Sequence, residues 1–155
     1  MTMDDSEKVR RILRASKVIA VVGLSAQWHR PSYFAAKYMQ EHGYRVIPVN
    51  PTYDTIMGEK SYKRLADIPG KVDIVDCFRK SSEIPAIAEE AIAMGAKVLW
   101  MQLGVENAQA RARAEKAGLE VVENRCVKIE HGRFFGGLGW AGVNTRVISA
   151  KRASA

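Results

Sequence analysis

Short apolar, β-branched blocks alternate along this chain with longer blocks in which apolar positions recur every three or four residues. Residues 17–23 (KVIAVVG) are apolar almost throughout and end in Gly23, the pattern of a strand buried on both faces. Pro31-Ser32 opens a helical stretch to residue 42, with Phe34/Tyr38 and Ala35/Met39 at i,i+4, and Gly43 stands where a C-terminal cap belongs. Residues 44–49 predict a second strand, broken near its end by Pro48, and 73–78 a third. Ser81 and Ser82 offer N-caps to a helix that lines up Ile84, Ile87, Ala88, Ala91 and Ile92 on one face, and Gly95 stops it. Residues 97–101 predict a fourth strand. Asn107 opens an Ala-rich helix that Gly118 ends, and 119–122 predict a fifth strand. Between them, 52–72 shows a turn at Met57-Gly58 and weak helical character at 61–66.

Strand–helix alternation at this spacing predicts βαβ units, hence a parallel sheet of about five strands with helices on both faces. The expected fold is a Rossmann-like, doubly wound α/β architecture over residues 1–131, followed by a Gly- and aromatic-rich basic C-terminal extension over 132–155. Such sheets bind ligands at the carboxyl ends of their strands, beside the point where strand order reverses. The residues just after each strand therefore carry the functional question.

The first strand leads into Gly23-Leu24-Ser25, then Arg30-Pro31-Ser32. Gly23 permits a tight turn, Ser25 supplies a hydroxyl, Arg30 is a permanent cation, and a helix start favours an anion. The same residues also suit an ordinary strand–helix turn. A dinucleotide fingerprint needs glycines at three positions, and only Gly23 is present. After the second strand, where NAD enzymes place a ribose-binding carboxylate, the chain has Asn50-Pro51, an amide that can bond a ligand or shape a turn. Phe78-Arg79-Lys80 follows the third strand. Two cations at a helix start oppose the dipole unless an anion joins them, and Phe78 can flank a flat ring or fill the core. Gln102 places a polar group at the end of the fourth strand, with Trp100 and Met101 as core before it. Cys126 reads either as a small buried residue or as a reactive thiol.

Charge adds less than its total suggests. The formal +7 comes from the ends: residues 1–17 carry five bases and three acids, residues 125–155 six and one, and 18–124 thirteen of each. A neutral body with basic ends argues against a nucleic-acid surface, and Phe134, Phe135 and Trp140 lie among glycines rather than among bases. No apolar run approaches a membrane span, and the acidic start is no signal peptide. Two cysteines and three scattered histidines form no disulfide scaffold and no metal spacing. The chain reads as cytoplasmic with reduced thiols.

The blocks Ala20-Val21-Val22-Gly23-Leu24-Ser25, Arg30-Pro31-Ser32, Val46-Ile47-Pro48-Val49-Asn50-Pro51 and Asp73-Ile74-Val75-Asp76 with Phe78-Arg79 occur in order. Trp100-Met101-Gln102-Leu103-Gly104 and Asn124-Arg125-Cys126-Val127-Lys128 continue the series. Together, over about residues 8–131, they resemble the small single-domain CoA-binding proteins (YccU-like), themselves similar to the CoA-binding domain of the succinyl-CoA synthetase α subunit. The resemblance implies coenzyme A, or an acyl-CoA, as the small-molecule partner. It implies a pyrophosphate held by Gly23, Leu24 and Ser25 with Arg30 nearby, and a pocket lined by Asn50-Pro51. Phe78, Arg79 and Lys80 would then meet the adenosine part, and Gln102 the pantetheine side. CoA also carries a ribose 3′-phosphate, which suits several cations and no ribose-binding carboxylate.

Function then divides into three expectations. The first is a CoA carrier, sensor or accessory protein. The second is a subunit of an acyl-CoA-processing enzyme; with no Ser-His-acid set or paired carboxylate at the strand ends, self-contained catalysis is not expected. The third is an NAD(P)-binding redox sensor, but only about 16 residues precede the first strand, too few for the winged helix that related repressors carry. The aromatic extension is expected to pack on its own domain or on a second copy, the latter giving a homodimer.

Overall fold

The computed structural model describes residues 3–136, which fall into two compact units, 16–126 and 3–15 with 127–136. In the larger unit five strands form one sheet: β1 (Val18–Val22), β2 (Arg45–Val49), β5 (Ile74–Cys77), β6 (Val98–Met101) and β7 (Glu120–Val122). All pair in parallel, in the order β2-β1-β5-β6-β7. A two-stranded antiparallel hairpin, β3 (Thr55–Ile56) and β4 (Glu59–Lys60), occupies the stretch where only a turn was expected. Its turn holds Met57 at φ 56° and Gly58 at φ 78°. This is the expected Rossmann-like α/β fold. The order reverses between β1, which pairs with β2 on one side, and β5 on the other.

The apolar runs form strands because both faces are covered. In register, Ile47, Ala20, Val75, Leu99 and Val121 make one row across the sheet. That row and its neighbours bury against α3 (Ile84–Ala93) and α4 (Ala108–Lys116) through Ile84, Ala88, Ala91, Ala110 and Ala114. On the other face Ile19, Val21, Val46, Ile74 and Trp100 are buried as well, and α2 (Pro31–Glu41) packs along β2. The Asp73 carboxylate accepts the amides of Lys17 at 2.8 Å and Val18 at 3.0 Å, fixing where β1 starts beside β5.

Pro48 does not break β2. The strand lies at the edge of the main sheet, so the missing amide costs no ladder bond to an inner neighbour, and the Pro48 carbonyl accepts the Tyr62 amide at 3.0 Å. Ser81 and Ser82 do not cap α3. They form a short 3-10 turn, Ser81–Glu83, because the Ser81 hydroxyl accepts the Glu106 amide at 3.1 Å instead. The helical character at 61–66 condenses to one 3-10 turn, Leu65–Asp67.

Two helices of the smaller unit were not expected, α1 (Met3–Ala15) and α5 (Val127–Phe134), which pack on each other. Val9, Ile12 and Leu13 give α1 its buried stripe. The extension expected from residue 132 is described only to 136, and Trp140 with the strand-like stretch at 143–148 lies outside the described residues. Among the described residues no helix is long and apolar enough to cross a membrane.

Asp76 breaks the apolar pattern of β5. It stands in a row between Val21 and Trp100, is 1% exposed, and its Oδ1 finds no hydrogen-bond partner among the described residues. Burial drives its pKa well above the usual carboxylate range, and burial followed by the Asp76 charge also raises the Cys77 thiol. A carboxyl whose pKa is raised by folding binds its proton more tightly in the folded protein than in the unfolded chain, so its contribution to stability falls as pH rises above the ordinary carboxylate range. Asp76→Asn is expected to gain stability relative to the natural chain as pH rises from 4 to 8, with the gap closing toward pH 4. Urea unfolding across pH 4–8 measures this; a gap that is absent, or that widens as pH falls, contradicts it.

Candidate functional site

Where β1 and β5 end, the chain diverges: the exit of β1 leads to α2 and the exit of β5 to α3. The two exits first pass each other at contact distance. Gly23 has φ +91°, and a Cβ placed on it would lie 2.5 Å from the Phe78 carbonyl oxygen and 2.8 Å from Arg79 Cδ. A side chain there is excluded by conformation and by space. The ladder is meanwhile complete, since the Gly23 amide donates to Val49 O and the Phe78 amide to Val22 O, both at 2.9 Å.

The divergence leaves a cleft of about 380 Å³ lined by Gly23, Ser25, Gln27, Arg30, Pro31, Ser32, Asn50, Thr52, Tyr53 and Phe78. Its position at the carboxyl ends of β1, β2 and β5 is where an open parallel sheet accepts a ligand. The first wall is a turn built on side chains. The Ser25 amide donates to the buried Ser32 Oγ and the Gln27 amide to Ser25 Oγ, each at 3.0 Å, while Arg30 Nε donates to Gln27 Oε1 at 3.3 Å. Pro31 then starts α2 with its fixed φ and no amide hydrogen to satisfy.

Asn50 builds the second wall. Its Nδ2 donates to Leu24 O and its Oδ1 accepts the Thr52 amide, both at 2.9 Å. Its backbone bonds Tyr62 O at 2.9 Å and accepts the Ser61 hydroxyl at 3.0 Å. One residue thus ties the loops after β1 and β2 to the segment that returns from the hairpin. The Asn50 side chain lines the cleft as a brace rather than as an open donor.

Of the residues singled out from sequence, Gly23, Ser25, Arg30, Asn50 and Phe78 meet at this cleft. Leu24 is fully buried beneath the turn, and Pro51 is exposed beside Asn50. Arg79 and Lys80 are exposed on the turn after β5, next to the cleft but not among its lining residues. Gln102 is 4% exposed and outside the cleft. It sits where the neighbouring loops are closed on each other: its amide donates to Cys77 O at 3.3 Å, and Asn124 Oδ1 accepts the Gly104 amide at 2.7 Å. Gln27, Ser32, Thr52 and Tyr53 were not anticipated. Ser32, directly after the helix-opening Pro31, is the one the sequence could have marked.

The lining carries one guanidinium, three hydroxyl-bearing aliphatic side chains, two carboxamides and no carboxylate. That set suits an anion with many acceptor oxygens. A second groove of about 410 Å³ contrasts with it, since Glu106, Glu115 and Glu123 line it and Arg111 is already paired to two of them, Glu115 at 3.3 Å and Glu123 at 2.5 Å. A polyanion is repelled there.

Residues 17–132 match a family described as a CoA binding domain. The chain is 42% identical over 124 residues to the protein YneT of Bacillus subtilis (strain 168), covering 80% of this chain and 92% of that one. It is 26% identical over 117 residues to an acetate–CoA ligase [ADP-forming] II of Archaeoglobus fulgidus, covering 73% of this chain but 17% of the ligase. Among solved structures, a hypothetical protein from Pyrococcus horikoshii OT3 superposes with a TM-score of 0.82 at 44% identity, over 84% of this chain and 92% of that one.

Gly23→Ala is expected to destabilise the protein by about 2–4 kcal/mol, because strain at positive φ adds to the clash with Phe78. Gly58→Ala, at positive φ with nothing within 4 Å, is expected to cost clearly less. Equal losses in urea unfolding would remove the close approach as the reason for Gly23.

Proposed function

The chain belongs to the CoA binding domain family, and on that premise we propose that the cleft between β1 and β5 binds coenzyme A, free or acylated, through its phosphates. The observation that carries this reading is the lining itself: Arg30 with hydroxyls and amides, and no acidic residue. A ribose diol held in the NAD manner calls for a carboxylate after the second strand. The residue there is Asn50, and its side chain is committed at both ends to Leu24 and Thr52. A diphosphate needs cations and donors, which Ser25 and Arg30 provide beside the start of α2.

In this reading the diphosphate lies along the turn from Gly23 to Arg30. Ser25 Oγ already accepts the Gln27 amide, so its hydroxyl hydrogen is left to donate to a phosphate oxygen. The nucleoside lies toward Phe78 and the Arg79-Lys80 turn, and the pantetheine arm leaves along the carboxyl edge of the sheet. Leu24 supports the turn from below, Pro51 stiffens the Asn50 wall, and Gln102 closes the far end of that edge. The work of the site is binding and presentation. Among the described residues its lining holds no imidazole, thiol or carboxylate, and in this reading acyl chemistry belongs to a partner enzyme that receives or delivers the acyl-CoA.

Calorimetric titration tests this. CoA and acetyl-CoA are expected to bind with similar affinity and more tightly than NAD. Arg30→Ala, which loses a charge-assisted hydrogen bond to phosphate, is expected to weaken CoA about tenfold or more with the fold intact by circular dichroism. NAD binding as tightly as CoA, or an Arg30→Ala variant that binds CoA unchanged, would contradict the proposal.

A further inference from the structure

Two arginines stand by this cleft, and they are partnered differently. Arg30 Nε donates to an uncharged oxygen, Gln27 Oε1, at 3.3 Å. Arg79 instead meets a full negative charge: its Nε and its Nη2 each lie 2.9 Å from the same oxygen, Oε1 of Glu83. Arg79 is not a lining residue, but its stem runs beside the cleft along a set path. Its Cδ lies over Gly23, so the stem crosses the rim at the one residue that leaves room for it. The intervening turn is pinned, because Ser81 Oγ accepts the Glu106 amide at 3.1 Å and Ser81 O accepts Asn107 Nδ2 at 2.9 Å. Glu83 closes that turn immediately before α3, so guanidinium and carboxylate are held together at i,i+4.

We propose that Glu83 is a selectivity-setting residue: it neutralises Arg79 in the empty protein and surrenders it only to a ligand that presents a second phosphate beside the cleft. This rests on the CoA reading above and adds to it a competitor for the cation. Arg30, paired with an amide, keeps its whole charge for the diphosphate. Arg79, paired with a carboxylate, gives little attraction to a ligand that ends at the ribose. A ribose 3′-phosphate, close to dianionic at neutral pH, can displace the Glu83 monoanion. Both partners are partly exposed, at 44% and 38%, so the pair is screened and exchangeable. Pairs of this exposure change an affinity by about two- to fivefold.

Glu83→Gln removes the charge and keeps an acceptor for the Arg79 N–H groups. Calorimetry with CoA and with 3′-dephospho-CoA is run on the natural chain, Glu83→Gln, Arg79→Ala and the double variant. Glu83→Gln is expected to tighten CoA about two- to fivefold and to leave 3′-dephospho-CoA unchanged, with the gain absent when Arg79 is Ala. The proposal is overturned if Glu83→Gln shifts both ligands equally, weakens CoA, leaves the ratio of the two affinities unchanged, or acts as strongly without Arg79. A natural chain that binds neither ligand overturns the CoA reading and this proposal with it. A natural chain that binds both, with an unmoved ratio in Glu83→Gln, overturns the Glu83 role alone.

Discussion

The close passage of the β1 and β5 exits at Gly23 and Phe78 is the constraint on which the rest of the site depends. Parallel pairing brings Val22 level with Cys77, so the next residue of each strand emerges at the same height on the same edge. The chains must then part toward different helices, and they can do so from contact distance only because Gly23 has no side chain and takes φ +91°. A bulkier residue would push the Phe78 carbonyl and the Arg79 stem outward. The cleft, the placement of Arg79 and the direction of both turns follow from that one close approach.

Rigidity around the cleft comes from polar groups that are spent on the protein itself. Asn50 braces the loops after β1 and β2, Ser32 and Ser25 hold the amides of Ser25 and Gln27 in the first turn, and Ser81 ties the turn after β5 to the residues before α4. A ligand therefore meets preformed walls with few unused groups, chiefly the Arg30 guanidinium and the hydroxyls beside it. Preorganisation of this kind lowers the ordering cost of binding. Asp76 has the opposite character: it is buried one residue before the last of β5, with an oxygen that no described residue satisfies and a pKa pushed up by burial. The described residues give no packing reason for a carboxylate at that position.

The sheet was legible because its strands are buried on both faces, and such strands announce themselves as unbroken apolar runs. Helices α1 and α5 were not: the stripe of Val9, Ile12 and Leu13 is short and set among charges, and α5 is eight residues with Gly132 inside it, too short and interrupted to show a helical period. The site was legible where it depends on strand ends, which is why Gly23, Ser25, Arg30, Asn50 and Phe78 could be named and were found at one cleft. Thr52 and Tyr53 were missed because nothing in the sequence shows how Asn50 folds the next residues back. The partner of Arg79 was in plain view as a basic–acidic pair four residues apart. Spacing alone does not say whether such a pair closes, because an exposed cation after a strand suits a phosphate equally well.

In the proposed reading a phosphate-rich nucleotide enters the β1–β5 cleft and not the acidic groove beside α4. An amide ¹H–¹⁵N correlation spectrum recorded as CoA is added separates the two surfaces. Saturable shifts are expected to concentrate at Gly23, Ser25, Gln27, Arg30, Asn50, Thr52, Tyr53, Phe78 and Arg79, with the α4 groove at Arg111 and Glu115 unmoved. Shifts centred on that groove or on α5, or a spectrum that CoA leaves unchanged, would contradict it.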